Sequence, residues 1–326
     1  MENFFCAEQS RESGVDIIGS ASEHQIYVAI ECSPPWASND MESKGIPDNL
    51  RELSEAIYDD YDRFQTRFLL IHNEHLKQED YTRLLIFHKQ SGLSNRYAKR
   101  EFHLADIQAA APLIKRYLME KPIDGLPIED STRDILICTH GSRDRCCARF
   151  GNSIYHQAQK VVDDLSLGNI RIWQASHIGG HRMAPTAVTF PDARYYGYLT
   201  PESISSILTQ TGDLDWITQQ YRGCGMLPWA VQVLEREIIL NRNWEWFNYR
   251  LEGRVLERNE DESVNQVELV VETPEGDRYH YTATILLDEA KILYLKGSCN
   301  SEKTSLVEQY RIEALKESSP VLIEVS

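Results

Sequence analysis

Two short segments of the sequence carry side chains whose types and spacing could bind a metal. The first begins and ends with cysteine, at Cys138 and Cys147, with Cys146 beside the second of these. The second contains two histidines, His177 and His181, separated by Ile-Gly-Gly. Each segment follows an apolar run typical of a buried strand, and functional groups in open α/β sheets collect beyond the carboxyl ends of strands. We therefore expect the thiols and imidazoles to meet as one set of sulfur and nitrogen donors.

The Gly-Gly pair decides between two geometries for the histidines. Two imidazoles four residues apart lie on one face of a helix in some zinc sites. A glycine costs about 1 kcal/mol relative to alanine in a helix, so two in succession argue against a helix here. The sequence instead predicts a tight loop that turns both rings toward one centre.

This donor set is compatible with two kinds of metal site. Sulfur and nitrogen ligands in tetrahedral geometry suit zinc or an iron–sulfur cluster. Structural zinc sites usually pair cysteines about two to four residues apart, whereas eight residues separate Cys138 from Cys147. The wider spacing favours a two-iron, two-sulfur (2Fe–2S) cluster, with zinc as the alternative. Cys146 is an alternative ligand to Cys147, and a redox thiol pair of Cys138 with Cys146 or Cys147 is a further reading.

The residues flanking these donors could orient them or donate hydrogen bonds to a bound group. Those we single out are His140, Arg143, Asp144 and Arg182. The remaining cysteines are expected to be small buried hydrophobic residues rather than ligands. They are Cys6, Cys32, Cys224 and Cys299.

The elements that position the two segments follow the order β-α-β-β-β-α of a thioredoxin-like unit, and this order recurs along the chain. An α/β protein can also give such an echo by chance. The first copy is predicted from strands at 26–31, 68–71 and 84–87 and helices at 49–61 and 105–119. The second is predicted from strands at 134–138, 170–173, 187–190 and 194–199 and helices at 152–165 and 201–209.

The last third of the chain has a different character. A Trp-rich helix at 228–249 precedes four alternating strands, at 253–258, 266–273, 278–287 and 292–296, which predict an antiparallel sheet. It contains no constellation that we interpret as chemistry. The predicted fold class is therefore α/β with an α+β extension. The domain ranges are 1–125 for a first thioredoxin-like unit, 126–223 for a second, which carries the cysteine and histidine segments, and 224–326 for the extension.

Composition narrows the function classes. Thirty-four Lys and Arg stand against 50 Asp and Glu, for a formal net charge of −16. This balance disfavours nucleic-acid binding and fits solubility and attraction to a basic partner protein equally well. For a protein with a redox cluster, it is consistent with docking on a basic redox partner. No apolar run approaches the ~18–20 residues of a membrane span, and the N-terminus lacks the pattern of a secretory signal. We expect a cytoplasmic protein with reduced thiols; the sequence leaves its oligomeric state open.

The spacing Cys138-x₈-Cys147 followed by Ser-His-Ile-Gly-Gly-His-Arg resembles the sucrase/ferredoxin-like family of thioredoxin-like ferredoxins. That resemblance implies a 2Fe–2S cluster with Cys138 and Cys147 on one iron and His177 and His181 on the other. It also implies that Pro185 is a cis-proline packed beside the metal loop. Residues 253–326 lie outside the resemblance.

Such a site would carry single electrons. Neutral imidazoles in place of two thiolates remove negative charge, which makes a cluster easier to reduce: Rieske centres lie at about −150 to +300 mV, against about −400 mV for all-cysteine plant-type ferredoxins. The second imidazole nitrogen can couple electron uptake to proton uptake. We expect an electron carrier or redox sensor rather than a conventional enzyme, and assign no catalytic residue. The alternatives are a thiol-dependent oxidoreductase and a zinc-stabilised interaction module.

Overall fold

The computed structural model describes residues 4–122 and 132–318. The predicted boundary between residues 125 and 126 lies outside the described residues. The three predicted domain ranges therefore stay a prediction.

A nine-stranded sheet occupies the first two thirds of the described chain. Its order is β4-β3-β1-β2-β6-β5-β7-β8-β9. The strands are β1 Ile26–Glu31, β2 Thr66–His72, β3 Thr82–His88, β4 Ala98–Leu104, β5 Arg133–Cys138, β6 Ile170–Ala175, β7 Ala187–Phe190, β8 Arg194–Tyr196 and β9 Tyr221–Cys224.

The sheet contains the same four-strand arrangement twice. In the first half β1 pairs parallel with β2 and antiparallel with β3, which pairs antiparallel with β4. In the second half β5 makes the same pairings with β6 and β7, and β7 with β8. The halves join where β2 and β6 pair antiparallel, through Ile71 with Ala175 and His72 with Gln174. The α/β class is thus confirmed, with both halves in one continuous sheet.

Helices pack on this sheet through apolar faces. The described helices are α1 Cys6–Glu12, α2 Asp48–Asp59, α3 Tyr61–Phe64, α4 Ala110–Leu118, α5 Asn152–Asp164, α6 Pro201–Thr209, α7 Ile217–Gln220 and α8 Trp229–Arg242. In α5, Ile154, Ala158 and Val161 recur at helical spacing and are buried. Within residues 4–122 and 132–318, none of these helices has the length and apolar character needed to cross a bilayer.

Strand β4 was not predicted because its sequence, Ala-Lys-Arg-Glu-Phe-His-Leu, lacks the expected alternation. Its Glu101 is nevertheless buried, since the carboxylate pairs with Arg83 at 2.8 Å and with Arg171 at 2.8 Å. Buried charges are tolerated when they are paired in this way. The partners come from other strands, so no local pattern in the sequence reveals them.

The C-terminal region forms two separate β structures. Its strands are β10 Arg250–Arg258, β11 Val264–Glu272, β12 Arg278–Leu287, β13 Leu293–Lys296, β14 Thr304–Val307 and β15 Tyr310–Ser318. The antiparallel sheet has the order β10-β11-β12-β15. The expectation that the fourth predicted strand joins this sheet was wrong: β13 pairs with β14 as a two-stranded ribbon.

The β13–β14 ribbon packs against the beginning of the chain. Leu295 and Val307 share a buried cluster with Ile17 and Met183, and the Lys296 amide donates to Gln9 of α1 at 3.4 Å. Apolar burial therefore holds the ribbon against Ile17 and the loop that follows β6, and the hydrogen bond to Gln9 joins it to α1. This contact brings the C-terminal region to the predicted metal-binding segments.

Gly151 allows the close approach between the end of β5 and the start of α5. A Cβ at this position would lie 1.9 Å from the carbonyl oxygen of Cys138. That oxygen belongs to the backbone of a buried strand, so no side-chain rotation can relieve the clash. The five residues from Cys147 to Gly151 form a π-helical turn, a local widening often found at functional sites.

We predict that Gly151→Ala destabilises the protein, although alanine is the better helix former. Overpacking against fixed backbone should lower the free energy of unfolding in urea by about 2 kcal/mol. Gly168→Ala is the control, because a Cβ there meets open space, and its effect should stay below about 1 kcal/mol. Equal effects of the two variants would contradict the close approach.

Candidate metal centre

The parallel pairing of β5 and β6 sets the two predicted segments side by side. Cys138, the last residue of β5, lies opposite Ala175, the last residue of β6. The amide of Thr139 donates to the carbonyl of Ala175 at 3.1 Å, so the two chains leave the sheet together. The cysteine segment and the histidine segment therefore begin at one edge of the sheet, as the sequence predicted.

Three of the four predicted donors form a compact group. The ligand atoms of Cys138, Cys147 and His177 all lie within 4.8 Å of one another, and Cys138 Sγ is 4.0 Å from His177 Nδ1. Both cysteines are buried, whereas His177 is half-buried. The thiols are thus shielded from water, and the histidine forms the more open side of the group.

The two thiols are electrostatically unequal. Hydrogen bonding from Cys147, aided by His177, holds the pKa of Cys138 well below its usual range, although burial opposes this. The Cys138 thiolate and burial in turn raise the pKa of Cys147. Of the two thiols, Cys138 is therefore the one that loses its proton more readily.

His181 lies beside this group with one ring nitrogen free for a ligand. Its ring centroid is 5.1 Å from that of His177. Its Nε2 hydrogen-bonds to the carbonyl oxygen of Gly297; a carbonyl only accepts, so this nitrogen carries the proton. Its Nδ1 is buried and has no hydrogen-bond partner among the described residues. Burial and the neighbouring His177 lower the pKa of His181, which favours the neutral, metal-binding form of the ring.

The loop between the two histidines has the tight form that the sequence predicted. Gly179 and Gly180 both adopt left-handed backbone angles, with φ of +88° and +76°, which other residues rarely adopt. The guanidinium of Arg222 donates to the carbonyl of Gly179 at 3.1 Å. Only then does a short 3₁₀ turn begin, at His181. The glycines and Arg222 thus hold the loop that carries both imidazoles.

His140 supports the histidine loop. It is buried, its Nε2 donates to the Ala37 carbonyl at 2.7 Å and its Nδ1 accepts from the backbone N–H of His177 at 3.1 Å. Both ring nitrogens are therefore engaged. This places His140 behind His177, in the orienting position the sequence suggested.

The other predicted neighbours have different surroundings. The Asp144 carboxylate is buried and accepts from the backbone amides of Cys146 and Cys299, each at 2.9 Å. Arg143 is exposed on the loop, and Arg182 is half-buried beside His181. Pro185 follows a cis peptide bond, as the resemblance implied.

Cys146 belongs to a different group from Cys147. Its Sγ lies 3.6 Å from Cys6 Sγ and 3.2 Å from Cys299 Sγ, with Asp144 as the fourth member. The structure therefore does not bring Cys146, the predicted alternative ligand, to Cys138 and His177. Cys32 and Cys224 are buried apart from both groups, near the backbone of Ser33 and Asp192 respectively.

Sequence reasoning missed Gly297 and treated Cys6 and Cys299 as small buried hydrophobic residues, without bringing either of them to this region. Cys6 and Cys299 lie 140 and 153 positions from Cys146, so no local spacing connects them. The only signal in the sequence was that both residues are cysteines. This signal is weak, because a free cysteine is often simply a small buried hydrophobic residue. Chain topology, not motif, brings these residues together.

Comparison with known proteins gives a family and two partial relatives. The profile of the sucrase/ferredoxin-like family matches residues 17–223, more than half of the chain. Two proteins named "Altered inheritance of mitochondria protein 32", from Meyerozyma guilliermondii and Debaryomyces hansenii, are each 32% identical to it, over 81 and 97 residues. These matches cover 24% and 27% of the chain, and 29% and 34% of the relatives. No solved structure matches.

The tautomer of His181 is directly testable in metal-free protein labelled with ¹⁵N-histidine. We expect Nε2 to carry the proton and Nδ1 to be unprotonated in long-range ¹H–¹⁵N correlation spectra near neutral pH, since Gly297 accepts from Nε2. His181→Gln identifies the signal by removing it. His140 is the internal control, because its contacts require the same tautomer. A proton on Nδ1 of His181 would contradict the assignment of that nitrogen as the free donor.

Proposed function

The chain belongs to the sucrase/ferredoxin-like family, and from that premise we propose that it is a thioredoxin-like 2Fe–2S protein that carries single electrons. Cys138 and Cys147 would bind one iron, and His177 and His181 the other. The observation that carries the proposal is the grouping of a buried thiol pair with His177 beyond the ends of adjacent parallel strands, with the ring of His181 beside that of His177.

The donor chemistry fits such a cluster. Iron–sulfur clusters are held by cysteine thiolates, and in Rieske centres two histidines replace two cysteines on one iron. Here Cys138 is already biased toward the thiolate. His181 offers a buried Nδ1 with no protein partner among residues 4–122 and 132–318. An unpaired buried nitrogen costs free energy, and a metal bond would remove that cost.

The fold itself also supports the proposal. Each half of the nine-stranded sheet has a parallel strand pair followed by two antiparallel strands, the arrangement expected of a thioredoxin-like unit. The first half lacks the thiol and imidazole set of the second. We therefore assign it a structural or docking role.

When bound, the cluster would accept and release one electron. The surrounding chain excludes water from the cysteine side, where Cys138 and Cys147 are buried. The histidine side is more open, since His177 and His181 are half-buried. Electrons would enter and leave by that side. The formal charge of −16 suits a basic redox partner, because opposite charges speed encounter.

The oxidation state of the cysteines also indicates the type of cellular compartment. All seven cysteines are free, which is the usual state in a reducing environment. We propose a reducing compartment, with the cytosol as the first expectation. The names of the two relatives refer to the inheritance of mitochondria.

One observation favours a second candidate, a thiol-dependent oxidoreductase. The lowered pKa of Cys138, with Cys147 beside it, is the pattern of an attacking thiolate with a resolving thiol. However, Cys138 is only 1% exposed, so a disulfide substrate has little access to its sulfur. Burial suits a metal ligand better than a nucleophile.

Anaerobic purification of the full chain tests the proposal. We expect a red-brown protein that contains about two irons and two sulfides and gives a rhombic EPR signal on reduction. A colourless protein with zinc at Cys138, Cys147 and the histidines would support the zinc-stabilised module instead. A metal-free protein that reduces disulfides would support the oxidoreductase.

Replacing either histidine ligand with cysteine should retain the cluster and lower its midpoint potential. A thiolate adds a negative charge where the imidazole was neutral, so each of His177→Cys and His181→Cys should shift the potential down by on the order of 100 mV. Potentiometry followed by EPR measures the shift. His156→Gln, on an exposed part of α5, is the control. Unchanged potentials in both cysteine variants would show that the histidines are not ligands.

We also expect the midpoint potential to fall as pH rises, because reduction makes the imidazoles more basic and favours proton uptake. A one-electron, one-proton couple moves by about 59 mV per pH unit. The Nε2 of His181 is engaged with Gly297, whereas the ring contact of His177 is made through Nδ1, to Cys138. His177→Cys should therefore reduce the slope more than His181→Cys. A midpoint independent of pH would remove proton coupling from the proposal and leave electron transfer intact.

A further inference from the structure

The second cysteine group unites three distant parts of the chain. Cys6 lies in α1, Cys146 in the loop after β5, and Cys299 in the turn between β13 and β14. Their sulfurs are mutually adjacent, at 3.6 Å for Cys6–Cys146, 3.2 Å for Cys146–Cys299 and 3.7 Å for Cys6–Cys299. All three are buried. Three thiols that converge from three segments form a set that a disulfide, which joins only two, does not explain.

We propose that Cys6, Cys146, Cys299 and Asp144 form a second metal site, a closed structural site for zinc. We call these four residues the Cys₃Asp site. The ligand atoms of all four residues lie within 4.8 Å of one another. The site is separate from the Cys138/Cys147/His177 group and does not depend on the proposed cluster.

The sulfur spacing matches a tetrahedral ion. Zinc–sulfur bonds of about 2.3 Å in tetrahedral geometry place the sulfurs about 3.8 Å apart. Two of the three sulfur–sulfur distances, 3.6 and 3.7 Å, are within 0.2 Å of that edge. A small outward movement of Cys146 or Cys299 completes the triangle. Soft thiolate donors in a four-coordinate site with no open position are typical of structural zinc.

Asp144 is oriented to be the fourth ligand. One carboxylate oxygen accepts from the amide of Cys146 and the other from the amide of Cys299, each at 2.9 Å. Each oxygen keeps a further lone pair for an ion. The carboxylate is 1% exposed, and a buried carboxylate is normally paired or bound to a metal. A divalent ion among three thiols and this carboxylate would supply the positive charge.

A metal at the Cys₃Asp site would also stabilise the neighbouring Cys138/Cys147/His177 group. Cys299 is two residues from Gly297, whose carbonyl accepts from His181. Cys146 and Asp144 belong to the same loop as Cys147. The Cys₃Asp site would therefore fasten α1 and the β13–β14 turn to the loop that presents the cluster ligands, and would hold Gly297 at His181.

The test measures zinc and iron in the full chain after expression in medium supplied with both metals and purification without chelators. Wild-type protein should contain about one zinc per chain. In Cys6→Ser the zinc content should fall at least about tenfold, with iron and visible absorption retained. In Cys138→Ser the pattern should reverse, with zinc retained. Cys32→Ser and Cys224→Ser, at buried cysteines outside both groups, are the matched controls and should change neither metal.

Zinc K-edge X-ray absorption on wild-type protein keeps the test decisive if a variant fails to fold. We expect three sulfurs at about 2.3 Å and one oxygen at about 2.0 Å. Zinc bound by two sulfurs and two nitrogens, or lost in Cys138→Ser but not in Cys6→Ser, would place it at the other centre and overturn the proposal. Zinc-free protein, with or without a disulfide between Cys146 and Cys299 in mass spectra, would also overturn it. Because zinc is counted separately from iron, absence of the 2Fe–2S cluster leaves this result readable.

Discussion

The parallel register of β5 with β6 is the constraint on which the candidate centre depends. With Cys138 opposite Ala175, the cysteine loop and the histidine loop start about one strand spacing apart, roughly 4.8 Å. A slip of one residue would move one loop by about 3.3 Å along the sheet and turn its side chains to the opposite face. The apolar residues of both strands fix this register by burial. The position of the chemistry is therefore a consequence of sheet packing.

The second constraint acts over a much longer distance in sequence. The β13–β14 ribbon packs on α1 and on Met183, and this contact places Gly297 at His181 and Cys299 at Cys146. The C-terminal extension thus contacts the candidate metal centre directly and is not an independent appendage. Its Gly297 carbonyl fixes the tautomer of His181. In a loop without this contact, hydrogen bonds to water would set the tautomer. In metal sites, partners of this kind set both the orientation and the basicity of a ligand.

The sequence predicted the parts of the molecule that have local signatures. The strand run ending at Cys138, the amphipathic α5 and the Gly-Gly loop each follow from residues within one element, and the structure confirms them. Strand β4 was missed because Glu101 is made compatible with burial by arginines on other strands. Likewise, nothing near Cys146 in the sequence indicates Cys6 or Cys299. Such pairings are determined by how the elements pack, and one sequence carries no local record of them.

The central claim is that one 2Fe–2S cluster is held by both loops, and pulsed EPR of the reduced protein tests it most directly. In protein labelled with ¹⁵N only at histidine, two strongly coupled ¹⁵N nuclei should appear. His177→Cys and His181→Cys should each leave one of them. Two couplings lost one at a time would establish that both imidazoles bind the same reduced centre. A reduced signal without histidine nitrogen coupling, or no iron–sulfur signal in intact protein, would contradict the account.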